Sequence, residues 1–164
     1  MIILKNIVLI GMPGCGKTTI GKLLAERLNM KFCDIDEYIE EKTEKRICEI
    51  FQDGEEAFRK IERKAVKEVS ENLSMVISTG GGVVKSERNI EILKKKGMII
   101  FINRSVEKII SDIDTKERPL LKDGKEKIYK LYQERYVLYK KYGDYEIIND
   151  TTLEGVVDRI MNIL

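Results

Sequence analysis

The chain has 164 residues, of which 30 are Lys or Arg and 28 are Asp or Glu, so its formal net charge is +2; it has no His. The absence of His excludes Ser-His-Asp and Cys-His mechanisms and His-ligated zinc, so catalysis must use carboxylates, Lys, Arg, backbone dipoles or a hard cation. A charge so close to balance argues against a protein that coats nucleic acid or an anionic membrane.

Predicted strands and helices alternate along the chain. Short β-branched runs predict buried strands, and apolar residues spaced three and four apart predict helices. In chain order we expect strand 6–10, helix 20–28, strand 31–34, helix 58–69, strand 74–78, helix 90–93, strand 98–102, strand 145–148 and helix 153–160. This alternation, without a long linker, predicts one domain with a five-stranded parallel sheet between helical layers, whose ligands lie beyond the carboxyl ends of the strands.

Two further patterns receive structural interpretations. Lys94 to Lys96 end a helix before Gly97, where cations favour the negative helix end. A half-buried helical stripe without a site role is predicted for Tyr129, Tyr132, Tyr136, Tyr139 and Tyr142. No apolar run reaches the roughly 20 residues of a membrane helix, and three cysteines without CxxC spacing are typical of a reduced cytoplasmic protein.

The sequence GMPGCGKT follows the first strand and precedes the first helix, which is the context of a phosphate-binding loop. Its backbone N–H groups would contact phosphates, Lys17 would bridge the β and γ phosphates, and the Thr18 hydroxyl would ligate Mg²⁺. The predicted nucleotide-binding residues are Gly11, Gly14, Cys15, Gly16, Lys17, Thr18 and Thr19. Cys15 is either a small residue tolerated in this loop or a thiol whose modification blocks ATP.

Asp34 and Asp36 stand two residues apart at the end of the second predicted strand. In an extended chain this spacing directs both carboxylates to one side, so that one could hold Mg²⁺ and the other could deprotonate an acceptor hydroxyl. The alternative is a helix N-cap, since Asp36 precedes a helix-like segment. The third strand ends at Ser78 without an acidic residue, so Asp34 is the predicted magnesium ligand.

Gly80, Gly81 and Gly82 follow the third strand. Three consecutive glycines indicate a close approach of the backbone to a substrate, with a tight strand-to-helix turn as the alternative. Arg59 and Arg135 could hold an anionic substrate with bidentate bonds, or each could be a solvated helix residue. Arg118 lies in a polar, proline-containing stretch of the kind that closes over phosphates.

These residues together resemble the shikimate kinase family. The shared motifs are GMPGCGKT, DID at 34–36, IFQDGEEAFRKIE at 50–62, STGGG, RPLL at 118–121 and ERYVLY at 134–139. The resemblance implies a P-loop kinase fold with a substrate-binding region near 34–62 and a lid near 112–125. It also implies ATP-dependent phosphorylation of the 3-hydroxyl of shikimate, in the pathway to chorismate and the aromatic amino acids.

The same resemblance implies roles for particular residues. Asp36 would bind the shikimate hydroxyls and act as base, and Thr18 and Asp34 would organise Mg²⁺. Lys17 and Arg118 would hold the phosphates and act in catalysis. The carboxylate and the pocket lining would be provided by Arg59, Arg135, Gly80, Gly81 and Gly82. ATP and shikimate are the expected partners of a cytoplasmic monomer, without nucleic acid or membrane.

The chain departs from the family pattern at one position. Relatives often carry an arginine that packs on adenine seven residues before RPLL, but this chain has Ser111 there, followed by Asp112. We therefore expect weaker discrimination between ATP and GTP. Two other activities remain as alternatives, a kinase of the gluconate type, although that group commonly carries a His, and a slow nucleotide-hydrolysing switch.

Overall fold

A computed structural model describes residues 5–116 and 122–164 of the chain. Its five strands are β1 (Asn6–Ile10), β2 (Lys31–Asp34), β3 (Met75–Ser78), β4 (Gly97–Asn103) and β5 (Tyr145–Ile148). Its α-helices are α1 (Lys17–Leu28), α2 (Ile35–Thr43), α3 (Ile47–Phe51), α4 (Glu55–Ser70), α5 (Glu87–Lys96), α6 (Val106–Lys116), α7 (Lys122–Tyr142) and α8 (Leu153–Ile163). A short 3-10 helix, Val83–Lys85, precedes α5.

All strand pairs in the sheet are parallel, and the strand order is β2-β3-β1-β4-β5. The chain leaves β1 toward one edge of the sheet and later crosses to β4 on the other side, so β1 lies at the point where the strand order reverses. Ligands of such sheets bind beyond this point, at the carboxyl ends of the strands. The loops that follow β1, β3 and β4 therefore meet at one place.

Helices cover both faces of the sheet. Right-handed crossovers in opposite directions place α1 and α5 on opposite faces. Helix α1 packs on α8, whereas α4 packs on α5. The core between these layers is aliphatic: Val8, Leu9 and Ile10 of β1 are fully buried, as are Ile99 and Ile100 of β4. The five predicted strands and the three-layer architecture are confirmed.

Some boundaries differ from the sequence prediction. β3 begins at Met75 because Ser74 has a left-handed backbone, with φ 57°. β4 extends the predicted strand by one residue at each end. The predicted helix end at Lys96 is confirmed. Within the described residues, none of the helices combines the length and the apolar composition that crossing a membrane requires.

Candidate active site

The phosphate loop leaves β1 at Gly11 and ends at the first turn of α1. Gly14 and Gly16 have φ values of 82° and 101°, a left-handed conformation that glycine adopts without a Cβ penalty. Gly16 is the N-cap of α1, so the positive end of this helix points into the loop. The buried Lys17 ammonium donates to the carbonyls of Gly11 (2.7 Å) and Met12 (3.0 Å), which holds it along the loop.

Cys15 contributes to the loop through its backbone. Its side chain is fully buried, with Sγ 3.6 Å from Lys17 Nζ, and its carbonyl accepts a hydrogen bond from Asn149 Nδ2 (2.8 Å). A thiol reagent has no access to this sulfur in the described conformation. The geometry therefore favours the structural interpretation of Cys15.

Thr18 and Asp34 lie together beside the loop. The Thr18 hydroxyl donates to Asp34 Oδ2 (2.6 Å), and the other carboxylate oxygen accepts from the Glu37 backbone N–H (3.1 Å). Asp34 is therefore the N-cap of α2. The prediction that Asp34 and Asp36 share one extended segment is wrong, because the strand ends at Asp34 and Asp36 lies in the first turn of α2. The N-cap prediction for Asp36 is wrong for the same reason.

Asp36 Oδ1 is buried and has no hydrogen-bond partner among the described residues. Burial first, and then the negative charge of Asp34, raises the pKa of Asp36 above that of a free aspartate; Lys17 and Arg59 partly oppose this. A methyl group on Gly80 would lie only 3.0 Å from Oδ1, so the glycine leaves open the space that this oxygen faces. Asp36 is thus an available acceptor next to the phosphate loop.

Arg59 on α4 is held by two glutamates. Its Nη1 pairs with Glu62 Oε1 at 2.9 Å, and Nη2 lies 3.3 Å from Glu55 Oε1. Glu62 is almost completely buried, and this burial raises its pKa. The sequence analysis did not identify Glu62, although its position three residues after Arg59 places both on one helix face. Gly82 leaves room for Arg59, since a methyl there would lie 2.3 Å from Nη2.

Arg135 on α7 lies close to the same glycine segment. A methyl group on Gly81 would lie 3.2 Å from Arg135 Nη1. One helical turn later, the fully buried Tyr139 donates its hydroxyl to the Gly81 carbonyl (2.5 Å). Tyr139 therefore contacts the glycine segment, which the sequence analysis did not expect of the tyrosine stripe. The spacing of four between Arg135 and Tyr139 was the available sequence signal.

Two clefts meet at the loop. The smaller, of about 320 Å³, is lined by Lys17, Thr18, Asp34, Asp36 and the backbone of 78–81. The larger, of about 680 Å³, has aliphatic walls from Ile20, Ile109, Ile113 and Leu153. Both clefts share Gly14, Gly16 and Thr19, so phosphates bound at the loop would lie between them.

The predicted site residues fall into two groups. Those of the phosphate loop, α2, α4, the triple glycine and α7 come together within the described residues. Arg118 lies outside the described residues, between the end of α6 and the start of α7. Ser111 is exposed and does not line the larger cleft, whereas Asp112 does, paired with an arginine that the sequence analysis did not select, Arg104.

A loop of this geometry between β1 and α1, at the switch point of a five-stranded parallel sheet, defines a P-loop nucleotide-binding protein with a second, acidic cleft beside the phosphates. The shikimate kinase family model matches residues 13–164. The chain belongs to the shikimate kinase family.

Individual relatives agree with this. The chain is 54% identical to the shikimate kinase of Clostridium botulinum over 162 residues, 98% of each chain. Among solved structures, shikimate kinase from Acinetobacter baumannii in complex with shikimate superposes with a TM-score of 0.90 at 32% identity, over 98% of this chain and 92% of that one. The enzyme from Aquifex aeolicus superposes with a TM-score of 0.85 at 38% identity, over 96% and 94%.

Proposed function

We propose that this protein transfers the γ-phosphoryl group of ATP to the 3-hydroxyl of shikimate, giving shikimate 3-phosphate and ADP. The observation that carries the proposal is Asp36 Oδ1, which is buried without a hydrogen-bond partner among the described residues and lies in one cleft with the phosphate loop. A buried acceptor without a partner is costly, and a substrate hydroxyl would satisfy it. The family to which the chain belongs supports the same reaction.

The substrate carboxylate would be held by Arg59 and Arg135. Both guanidinium groups approach the triple glycine, Arg59 at Gly82 and Arg135 at Gly81, so two cations face one short segment of backbone. Bidentate bonds from planar guanidinium groups would fix the ring orientation. Glu62 holds Nη1 of Arg59, and Glu55 Oε1 lies against Nε and Nη2. The second N–H group of each Nη remains for the carboxylate.

Asp36 would accept the proton of the attacking hydroxyl. A carboxylate with a raised pKa is a better base than a free aspartate, and the nearby Lys17 and Arg59 partly oppose the rise in the pKa of Asp36. Phosphoryl transfer passes through a loose transition state, so we expect positioning of the hydroxyl to contribute at least as much as the proton transfer. Gly80 allows this approach because it carries no side chain.

The residues present fit a magnesium ion. Thr18 Oγ1 and Asp34 Oδ2 are hard oxygen donors 2.6 Å apart beside Lys17, and no cluster of three or more acidic, Cys or His side chains that could form a metal cage occurs within 5–116 and 122–164. Two protein oxygens suit Mg²⁺, which keeps waters and phosphate oxygens as its other ligands. When bound with ATP, Mg²⁺ would neutralise charge on the β and γ phosphates.

The remaining assignments extend the proposal to the whole site. Lys17 and Arg118 would contribute charge to the phosphates. The phosphates would also be bound by the backbone N–H groups of the predicted loop residues, which are Gly11, Gly14, Cys15, Gly16, Lys17, Thr18 and Thr19. We place the substrate-binding region near 34–62 and the lid near 112–125, within one domain. We also propose a monomer located in the cytoplasm, where free thiols such as these persist.

The test is ADP release from MgATP by the purified protein with shikimate, gluconate, a nucleoside monophosphate or no acceptor. We expect release that depends on shikimate alone. Release of equal ADP in every reaction would identify a nucleotide hydrolase and contradict the proposed acceptor site. Release with gluconate in place of shikimate would contradict the assignment of Arg59 and Arg135 to a ring carboxylate.

Two variants separate the roles of the acceptor residues. Asp36→Asn should lower kcat by about 10²- to 10⁴-fold while leaving ATP binding intact. Arg59→Ala should chiefly raise the KM for shikimate, because it removes binding that is equal in ground and transition states. Wild-type turnover by Asp36→Asn would show that Asp36 is not the base.

A further inference from the structure

Arg104 and Asp112 line the larger cleft and form an ion pair with each other. Arg104 directly follows β4, and its Nη1 donates to the Gly14 carbonyl of the phosphate loop (3.1 Å) while lying 2.6 Å from Asp112 Oδ2 on α6. Its side chain is 21% exposed and that of Asp112 is 49% exposed. One guanidinium therefore connects β4, the phosphate loop and α6, and both partners stay accessible from the cleft.

The purine of a bound nucleotide would lie in this cleft. The acidic cleft on the other side of the loop holds Asp34 and Asp36, which suits an acceptor and repels further negative charge. The larger cleft has the aliphatic side chains of Ile20, Ile109 and Ile113, which can contact the faces of a planar ring. In the described part of its lining, the charged side chains are those of Arg104 and Asp112.

These two side chains differ in what they can recognise. A guanidinium plane stacks on either purine, so Arg104 by itself does not discriminate between them. A carboxylate is an acceptor only. Guanine presents two adjacent donors, N1–H and the N2 amino group, whereas adenine presents the N6 amino group beside N1, a lone pair that repels a carboxylate. Asp112 can therefore form two bonds with guanine and one with adenine.

We propose that the Arg104–Asp112 pair recognises the purine of the nucleotide, and that Asp112 admits GTP as a phosphoryl donor with an efficiency close to that of ATP. The proposal rests on the proposed kinase function only where it calls the nucleotide a phosphoryl donor. Recognition of the base is a property of nucleotide binding and does not depend on catalysis. It assigns Arg104, which directly follows β4, as the stacking residue in place of an arginine on α6.

A purely structural role of the Arg104–Asp112 pair would give a different result from base recognition. If the pair only holds α6 against the phosphate loop, loss of Asp112 weakens both nucleotides by the same factor. If Asp112 contacts the base, its replacement changes the ratio of the two affinities. The decisive quantity is therefore the ratio for adenine and guanine nucleotides, and not either affinity alone.

The test is equilibrium titration of the full chain with the non-transferable analogues AMPPNP and GMPPNP, together with shikimate-dependent kcat/KM for ATP and GTP. The wild type should bind the two analogues within about tenfold of each other. Asp112→Asn should shift the ratio toward AMPPNP by about tenfold or more, because a carboxamide donates to adenine N1 and accepts from N6. Asp112→Glu, which keeps the charge, should retain the wild-type ratio.

Glu107→Gln is the matched control, because it removes the same charge from the exposed surface of α6 and should change neither affinity. A wild-type preference for AMPPNP above about a hundredfold, or an equal loss of both analogues in Asp112→Asn, would overturn base recognition by Asp112. The predicted binding ratio without shikimate-dependent turnover would refute the kinase function and leave the base assignment standing.

Discussion

Replacing Gly82 with Ala should damage shikimate binding without damaging the fold. The new methyl group would lie 2.3 Å from Arg59 Nη2, 2.6 Å from Nη1 and 2.7 Å from Cζ. Gly82 has φ −98° and ψ 7°, a conformation that alanine also adopts, so the backbone need not change. The atoms that must move are the far end of a flexible side chain.

The expected magnitude follows from this displacement. Ordinary contacts begin near 3.4 Å, so the Arg59 guanidinium must shift by roughly 1 Å. Such a shift breaks at least one hydrogen bond from Arg59 to the shikimate carboxylate, and a hydrogen bond to a charged group is worth about 1.5–3 kcal/mol. The KM for shikimate should therefore rise about 10- to 150-fold. Because the same shift also weakens the Arg59–Glu62 ion pair, the free energy of unfolding should fall by at most about 3 kcal/mol.

A double-mutant cycle tests the reasoning. Steady-state kinetics would compare the wild type, Gly82→Ala, Arg59→Ala and the double variant, with the KM for ATP as the internal control. Because Gly82→Ala acts through Arg59, it should have little further effect once Arg59 is alanine. An undiminished effect of Gly82→Ala in the Arg59→Ala background, or a wild-type KM in the single variant, would refute the mechanism.

Three further outcomes are expected. The raised pKa of Asp36 means that the folded state binds a proton more tightly than the unfolded chain, so its contribution to stability falls as pH rises from 3.8 through the raised value. Asp36→Asn should then raise the thermal midpoint at pH 7, with a gain that shrinks toward pH 4; an equal gain at both would contradict the linkage. Tyr139→Phe leaves the Gly81 carbonyl without its partner, which should cost about 1–3 kcal/mol in denaturant unfolding and raise the KM for shikimate but not for ATP. Thr18→Val should raise the Mg²⁺ concentration for half-maximal activity about tenfold, while Thr18→Ser should not; equal effects of both would exclude the hydroxyl as ligand.

Local sequence was sufficient for most of the fold. Most of the strands are short apolar runs, and helices α1, α4, α5 and α8 each have an apolar period, so these elements can be located without knowing what they pack against. The phosphate loop could also be identified from the sequence, because its function depends on backbone geometry within eight consecutive residues, GMPGCGKT. Interactions within a few consecutive residues can be predicted from those residues alone.

The arrangement of Asp34 and Asp36 shows the limit of that reasoning. Their spacing suggested two parallel carboxylates on one strand. The helix begins at Ile35, two residues earlier than the extended-chain argument required, which makes Asp34 a cap and turns Asp36 toward Gly80. A change of backbone conformation at a single residue redirects a side chain, and sequence periodicity locates helix starts only to within a few residues.

Composition, motif and spacing alone determined a P-loop αβα protein and the residues able to hold phosphates, a hard cation and an anionic acceptor. The tertiary structure decided which of those residues meet, and it added Glu62, Tyr139 and the Arg104–Asp112 pair. The Arg104–Asp112 pair and the Tyr139–Gly81 bond join residues from different elements. Chain segments far apart in sequence become neighbours only through the packing of the sheet and its helices, so no local pattern records their contact.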